Sequence, residues 1–385
     1  MRQFLISTFL SIYILTLPTG FAQDVTQWHT PEHGSPSLSV TETNAIVFST
    51  DGTRLAVATV NGIAVYDTYT GKEVALFSTP LDNVPALAFS PDNQIIASAN
   101  ADATLDLWNA HTGEHIKNFV GHTYPIVALV FSPDGNTLAS GSFKEMCLWN
   151  LTAEQSTPAS VLQGHRDMVT TLVFSPDGKT LASTSFYGTI LLWDVETGQI
   201  RYNLSAHTAS IVALAFSPDN QTLASGGYWS LDAENTIHLW NTDTGQRLTT
   251  VEGHTDPIFA LAFSSDGRTL ASAGWDNTIR MWDPRTGKLQ SILEDSTTPV
   301  LALAFLLDVR DSYENALASA SLDGTIQLWH MVPMLRSADV NMDGVVNILD
   351  LTFVASRFGQ NSPDLNMDGI VNILDLVFVG QHIAE

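Results

Sequence analysis

FSPDGKTLASTSFYGTILLWDVETGQ, residues 174–199, decides the fold, because the chain repeats this stretch. Related stretches begin at Phe48, Phe89, Phe131, Phe216, Phe263 and Phe305. Successive phenylalanines of the seven copies are 41, 42, 43, 42, 47 and 42 residues apart. Each copy also ends a strand pattern with an aromatic residue: Tyr66, Trp108, Trp149, Trp193, Trp240, Trp282 and Trp329. The copies are numbered repeats 1 to 7 in chain order.

Each repeat has the pattern of four short strands joined by tight turns. A strand such as ALAF is followed by SPDG, in which proline presets φ and glycine tolerates a positive φ. The second strand is TLAS, and the third follows a tight turn such as WDN in repeat 6. Thr-Gly then leads into the fourth strand. Most strands are apolar on both faces, so one sheet cannot bury itself, and a ring of stacked sheets is predicted.

The repeats resemble the WD40 family. The Trp-Asp pair of that family is present at Trp193-Asp194 and Trp282-Asp283, and in repeats 2, 3 and 5 asparagine replaces the aspartate. A Gly-His pair precedes three of the repeats, at Gly121-His122, Gly164-His165 and Gly253-His254. The resemblance covers roughly residues 25–333 and implies an all-β, seven-bladed β-propeller. It also implies that an N-terminal strand near Val25–His29 completes the last sheet.

Repeat 6 contains His254, Ser272, Asp276 and Trp282, which match the hydrogen-bond network of the resembled family. A catalytic triad would use the same three side-chain types. We favour the structural interpretation, because the histidine recurs at repeat spacing in His122, His165 and His207, whereas a nucleophile would not be repeated. In this interpretation the other repeats lack either the turn aspartate or the histidine.

Exposed positions for partner binding are expected on the face that carries the loops between second and third strands. Some precede the turn aspartate or its equivalent: Ala101, Phe186, Ala233, Trp275 and Leu322. Others follow the histidine position: Tyr124, Asp167 and Asp256. The insertion at residues 228–235 lengthens one of these loops. Exposed aromatic side chains there are candidate anchors for a protein or peptide.

Charge and cysteine content exclude several classes of function. Sixteen Lys and Arg residues oppose forty Asp and Glu residues, which gives a formal charge of -24. Nucleic acids and anionic lipids need a basic surface, so neither is an expected partner. The single cysteine, Cys147, excludes an internal disulfide and a Cys-rich zinc site, and its apolar context predicts a small buried residue.

The first 22 residues have the pattern of a secretory signal. Arg2 is followed by an uncharged apolar run over residues 4–17, Pro18 ends the run, and Gly20 and Ala22 are small residues before a cleavage point. The run is shorter than the roughly 20 apolar residues that a membrane span needs. The predicted domains are therefore a signal peptide at 1–22, the propeller at 23–333 and a third segment at 334–385, in an extracellular protein.

The third segment contains a different repeat, with two twelve-residue loops that are 25 residues apart. Side-chain oxygens occupy loop positions 1, 3, 5, 9 and 12, and a backbone carbonyl would serve position 7, which is the ligand pattern of Ca²⁺. Glycine takes position 6 of each loop, where the chain must turn sharply. The predicted ligands of the two ions are Asp339, Asn341, Asp343, Val345, Asn347 and Asp350, then Asp364, Asn366, Asp368, Ile370, Asn372 and Asp375.

A short helix is expected after each loop, and the loop-helix repeat resembles a dockerin over about residues 337–385. Dockerins bind cohesin modules, in bacteria often within assemblies that degrade polysaccharides. The resemblance places recognition just after the ninth ligand, at Ile348-Leu349 and Ile373-Leu374. These apolar pairs are equal in both halves, which allows two binding orientations. They could instead belong to the core of the segment or pack against the propeller.

The sequence thus favours a secreted, non-catalytic interaction protein, with an unknown partner on the propeller and a cohesin-like partner on the tail. The rival hypothesis is a propeller glycoside hydrolase or lyase carried by its dockerin. Paired carboxylates in the central channel would favour the rival.

Overall fold

A computed structural model describes residues 23–29, 45–59, 62–77, 84–205, 210–227, 235–293, 298–306 and 316–331. The chain divides into two compact units, and the fold described below is that of the unit that includes residues 24–330. The described residues form strands, turns and bends. None of the described secondary structure is a helix with the length and hydropathy that a membrane crossing needs.

Each repeat contributes antiparallel strands in the order that its sequence predicts. Those of repeats 1 and 2, after an N-terminal strand, are β1 (Gln23–His29), β2 (Ile46–Phe48), β3 (Arg54–Thr59), β4 (Gly62–Asp67), β5 (Glu73–Phe77), β6 (Ala86–Phe89), β7 (Ile95–Ala99), β8 (Thr104–Asn109) and β9 (His115–Val120). Those of repeats 3 and 4 are β10 (Ala128–Phe131), β11 (Thr137–Gly141), β12 (Phe143–Asn150), β13 (Ser160–Phe174), β14 (Thr180–Ser185), β15 (Thr189–Asp194) and β16 (Ile200–Ser205).

The remaining three repeats continue the same pattern. Their strands are β17 (Ile211–Phe216), β18 (Thr222–Gly227), β19 (Ile237–Asn241), β20 (Arg247–Val251), β21 (Ile258–Phe263), β22 (Leu270–Gly274), β23 (Ile279–Asp283), β24 (Lys288–Leu293), β25 (Val300–Leu306), β26 (Ala316–Ser321) and β27 (Thr325–Met331).

Sequence neighbours pair within each sheet. Repeats 1, 2, 5 and 6 each form a four-stranded sheet, and repeats 3 and 4 share a seven-stranded sheet because β13 runs through both. The sheet of repeat 7 has the order β1-β27-β26-β25, so the N-terminal strand completes it, as predicted. That pairing covers the edge of β27, which would otherwise present free backbone groups.

The hydrophobic core lies between neighbouring sheets. One cluster joins Leu105 and Phe119 of repeat 2 to Phe131 and Trp149 of repeat 3, and other clusters join repeats 1 and 2, 3 and 4, 4 and 5, and 5 and 6. Another cluster packs repeat 1 against repeat 7. The first strands also contact each other in cyclic order: β2, β6, β10, β13, β17, β21, β25 and again β2. The sequence therefore forms a closed ring of antiparallel sheets, a β-propeller.

A cavity of about 420 Å³ lies among first strands of the ring. Its lining comes from β2, β17, β21 and β25, from turn residues after β2 and from one threonine of β13. The lining side chains are Ile, Val, Phe, Leu, Ala, Ser and Thr. The side chains that line this cavity are therefore apolar or hydroxyl-bearing, and none of them is charged.

Candidate functional site

Repeat 6 brings the four predicted network residues together. His254 precedes β21, Ser272 lies on β22, Asp276 in the turn to β23, and Trp282 on β23. His254 Nδ1 donates to Asp276 Oδ2 at 2.8 Å, and Nε2 is 2.7 Å from Ser272 Oγ. Trp282 Nε1 donates to the same Ser272 Oγ at 2.7 Å. The order Asp, His, Ser is that of a catalytic triad, so access and protonation must decide between the two roles.

Ser272 has no route to a substrate in this arrangement. Its relative exposure is 0%, and its oxygen already accepts the indole N–H while its hydroxyl proton faces His254. Burial raises the pKa of Asp276, but hydrogen bonds from His254, from the Thr255 N–H and from Thr278 outweigh burial and lower that pKa to about 2. Asp276 is therefore a fixed anion that holds the histidine, and the set is a closed structural network.

The indole-to-serine hydrogen bond recurs around the ring. It joins the second and third strands of six repeats, from Trp108 to Ser98 (2.9 Å), Trp149 to Ser140 (2.7 Å), Trp193 to Ser183 (2.8 Å), Trp240 to Ser225 (3.0 Å), Trp282 to Ser272 (2.7 Å) and Trp329 to Ser319 (2.8 Å). In repeat 1 the two positions are Val57 and Tyr66, which cannot form it. A group used six times in one ring serves the sheet rather than a reaction.

Repeat 3 also has a complete network, which the sequence interpretation missed. His122 Nε2 is 2.6 Å from Ser140 Oγ, and His122 Nδ1 donates to Glu145 Oε1 at 3.1 Å. Repeat 3 lacks the turn aspartate, as the sequence interpretation expected, but Glu145 supplies the acceptor in its place. Ser140 and Trp149 are 9 residues apart, whereas Ser272 and Trp282 are 10 apart, and this shorter hairpin moves the carboxylate from the turn onto β12. Glutamate, with one more methylene than aspartate, spans the changed distance.

The interpretation of Cys147 in repeat 3 is confirmed. Its side chain is fully buried in the core between repeats 2 and 3. Burial, with a smaller contribution from the charge of Glu145, raises the pKa of the thiol to about 12. A buried thiol that stays protonated at neutral pH is a poor nucleophile.

Repeat 4 has only half of the network. His165 Nε2 is 2.7 Å from Ser183 Oγ, but the buried Nδ1 has no hydrogen-bond partner. The position that Asp276 takes in repeat 6 is Tyr187 here, and its side chain is exposed. Burial lowers the pKa of His165 to about 4, so the imidazole is neutral at pH 7.

Tyr187→Asp should stabilise the protein by about 1–3 kcal/mol at pH 7, because a carboxylate would accept the orphaned Nδ1–H in a charge-assisted hydrogen bond. Urea unfolding would measure the gain, and an NMR titration should show that the pKa of His165 rises. Tyr187→Ala is the matched control, since it removes the same ring without supplying an acceptor. An equal effect of both substitutions would contradict the repeat 6 analogy.

Repeat 2 has a buried carboxylate that the sequence interpretation also missed. Asp106 on β8 accepts hydrogen bonds from Asn100 Nδ2 at 2.6 Å, His115 Nε2 at 2.7 Å and Asn118 Nδ2 at 3.0 Å. Donors on β9 and in the turn before β8 thus replace the histidine network of repeats 3 and 6. Single-sequence patterns give no signal for this set, because its members belong to no motif.

The exposed candidate positions divide into three groups. Tyr124, Phe186 and Ala101 are exposed, whereas Trp275, Asp167 and Asp256 are partly buried. Leu322 is 7% exposed, so its assignment as an exposed position was wrong. Its N–H donates to Pro299 O at 2.9 Å, which holds this turn against the preceding segment, and its aliphatic side chain gains by leaving water. Ala233 and most of the 228–235 insertion lie outside the described residues.

The predicted calcium ligands and the pairs Ile348-Leu349 and Ile373-Leu374 also lie outside the described residues, as do His207 and the segment 1–22. Within the described ranges, no group of three or more His, Cys, Asp or Glu side chains has the arrangement of a metal site.

The described lining of the central cavity contains no carboxylate, and the rival glycosidase hypothesis requires a pair of them. The described geometry is that of a ring held by buried polar networks.

A comparison with family models agrees with this geometry. The model described as WD domain, G-beta repeat (WD40), matches residues 71–109, 113–150, 156–194, 198–241, 245–283 and 287–330, which together are more than half of the chain. A comparison with curated proteins found no match. The chain belongs to the WD40 repeat family.

Proposed function

We propose that the chain is a secreted, non-catalytic interaction protein built on a seven-bladed propeller. The cyclic contacts of seven first strands and the completion of the last sheet by β1 support seven blades. Proteins of the WD40 family bind other proteins or peptides on such rings, and the loops of this ring would do the same.

The observation that carries the non-catalytic assignment is the state of Ser272. Among the described residues, Ser272 is the serine with a complete Asp-His partner set, and it is fully buried and hydrogen-bonded to an indole. The same indole contact recurs in repeats without a histidine partner, such as repeats 2 and 7. A nucleophile needs an exposed oxygen beside a developing oxyanion, and this site has none.

We further propose that residues 334–385 form a dockerin-like module that binds two Ca²⁺ ions and docks the protein to a cohesin-like partner. Support comes from the two copies of the ligand pattern, each with glycine at the sixth position. Asp339, Asp343 and Asp350 would bring three carboxylates to the first ion, and Asp364, Asp368 and Asp375 to the second. Such docking would place the protein outside the cell, within a polysaccharide-degrading assembly.

Removal of calcium should unfold the tail while the propeller stays folded. At a calcium concentration of about a hundred times Kd, each site would add about 2.7 kcal/mol to the stability of a small module that has little core of its own. Far-UV circular dichroism of the full chain, with Ca²⁺ and then with EGTA, should show loss of the helical signal.

A chain that ends at residue 333 is the control, and EGTA should leave its spectrum unchanged. Asp343→Ala with Asp368→Ala should give the EGTA spectrum in the presence of Ca²⁺. Helicity that survives EGTA in the full chain would overturn the calcium assignment. Capture of the full chain on a cohesin module, with and without Ca²⁺, tests the proposed partner. Because the two halves are equivalent, both Ile-Leu pairs must be substituted before capture is lost.

A further inference from the structure

All three strongly exposed aromatic side chains of the described residues lie at one place on the ring. They are Tyr124 (49% exposed), Phe186 (49%) and Tyr187 (69%). The other large hydrophobic side chains that are exposed among the described residues are aliphatic. Tyr124 precedes β10, and the other two form the turn between β14 and β15. Repeats 3 and 4 are the two that β13 joins into one sheet.

These rings are linked through the backbone of the joined sheet. The ring of Tyr124 contacts that of Phe143, with centroids 5.3 Å apart. Phe143 pairs with Met168 across β12 and β13, and the Met168 carbonyl accepts the N–H of Phe186 at 3.1 Å. Phe186 and Tyr187 contact each other edge to face at 5.7 Å. Residues 62 positions apart in the sequence thus share one continuous surface.

The surface is held in place without a partner. Ser142 Oγ lies 2.8 Å from the carbonyl of Tyr124 and 2.9 Å from that of Pro125, which fixes the loop before β10 to the β11–β12 hairpin. The Val169 N–H donates to the Ser142 carbonyl at 3.0 Å and joins this hairpin to β13. A preformed surface loses less conformational entropy when it binds.

Two exposed cations lie on this part of the sheet, and neither has a hydrogen-bond or ion-pair partner among the described residues. Lys144, at φ 69° in the hairpin, places Nζ 4.9 Å from the centroid of Phe143. Arg166 is exposed and lies in the irregularity of β13 that faces Lys144. The neighbouring carboxylates keep their charge but are partly buried: Glu145 accepts from His122 and the Thr123 N–H, and Asp167 accepts from the Met168 N–H.

We propose that this aromatic-cation surface, formed by Tyr124, Phe143, Lys144, Arg166, Phe186 and Tyr187, binds an acidic protein segment that carries a bulky apolar side chain. The apolar side chain packs on the exposed rings, and carboxylates on either side of it pair with Lys144 and Arg166. The inference rests on the proposed interaction function and names the partner class for it. The overall charge of -24 attracts basic segments at long range, but the exposed charges within this surface are those of Lys144 and Arg166, and at contact distance these favour an acidic segment.

Fluorescence anisotropy with three labelled peptide probes tests the proposal on the full chain. The probes are Glu-Asp-Leu-Trp-Glu-Asp, its charge-reversed counterpart Lys-Arg-Leu-Trp-Lys-Arg, and Glu-Asp-Gly-Gly-Glu-Asp. The first should bind saturably and at least about tenfold more tightly than the other two, since both the charge and the apolar anchor contribute.

Phe186→Ser removes the apolar anchor and should weaken binding of the first probe by about tenfold or more. The double substitution Lys144→Glu with Arg166→Glu reverses the charge and should weaken that binding by a similar factor. Leu248→Ser and Lys288→Glu on outer strands of other repeats are matched controls and should change nothing. Circular dichroism must show that each variant is folded.

No saturable binding of the first probe, or equal binding by surface and control variants, would overturn the proposal. Preferred binding of the basic probe that Phe186→Ser abolishes would overturn the acidic partner but leave the interaction function standing. The calcium-dependent capture of the tail is independent of this surface.

Discussion

Asp276→Ala is expected to lower the free energy of unfolding by about 3 kcal/mol or more, because it removes the acceptor from a buried network. His254 Nδ1, the Thr255 N–H and the Thr278 hydroxyl would each lose their carboxylate partner. The side chain of His254 is 1% exposed, so water cannot replace the acceptor without opening the sheet. Urea unfolding at pH 7 measures this loss, if the unfolding free energy depends on urea concentration with the same slope in the variant and the parent protein.

Asp102→Ala is the matched control for that substitution. Asp102 takes the corresponding turn position in repeat 2, but it is exposed and accepts only from the N–H and hydroxyl of Thr104. Its loss should cost about 1 kcal/mol or less. Equal losses for Asp102→Ala and Asp276→Ala would show that the turn, and not the histidine network, accounts for the stability.

Acidification from pH 7 to pH 4 should destabilise the ring through its buried histidines. Burial lowers the pKa of His165 to about 4, and burial with a smaller contribution from Arg247 lowers that of His238 to about 4. An unfolded chain takes up these protons near pH 6.5, before the folded chain does, so stability falls as pH drops from about 6.5 to about 4. The difference corresponds to a loss of the order of 3 kcal/mol for each histidine.

The pH window separates histidines from carboxylates. Asp276, whose folded pKa is about 2, contributes stability that is lost only below its unfolded value near 3.8. Unfolding free energies between pH 7 and pH 4 should therefore fall less steeply in His165→Gln, which keeps the His238 contribution, whereas His111→Gln, at an exposed histidine, should keep the slope of the parent protein. A slope that His165→Gln leaves unchanged would show that this imidazole is not the titrating group.

The sequence predicted the ring and the polar network of repeat 6, because both depend on residues close together within a repeat. Serine on the second strand and tryptophan on the third fix their own pairing through hairpin register. The completion of the last sheet by residues near Val25–His29 was likewise predicted and is observed.

What the sequence did not predict depends on contacts between repeats or on small changes of hairpin length. A hairpin one residue shorter moved the acceptor of His122 to Glu145 on β12. The pairing of Phe143 with Met168 joins repeats 3 and 4, and so links Tyr124, which contacts Phe143, to Phe186, whose N–H donates to the Met168 carbonyl. The sequence of one repeat carries no information about the contact between Phe143 and Met168, since that contact depends on how two repeats meet.

Treatment of the folded protein with a fluorophosphonate, followed by intact-mass and peptide mass spectrometry, tests most directly whether the Ser272–His254–Asp276 set is structural. No adduct should form on Ser272, or on Ser140 and Ser183, because each oxygen is buried and accepts an indole N–H. A stoichiometric adduct on Ser272 that disappears in Asp276→Asn would instead show a working nucleophile and contradict the assignment of this ring as a binding protein.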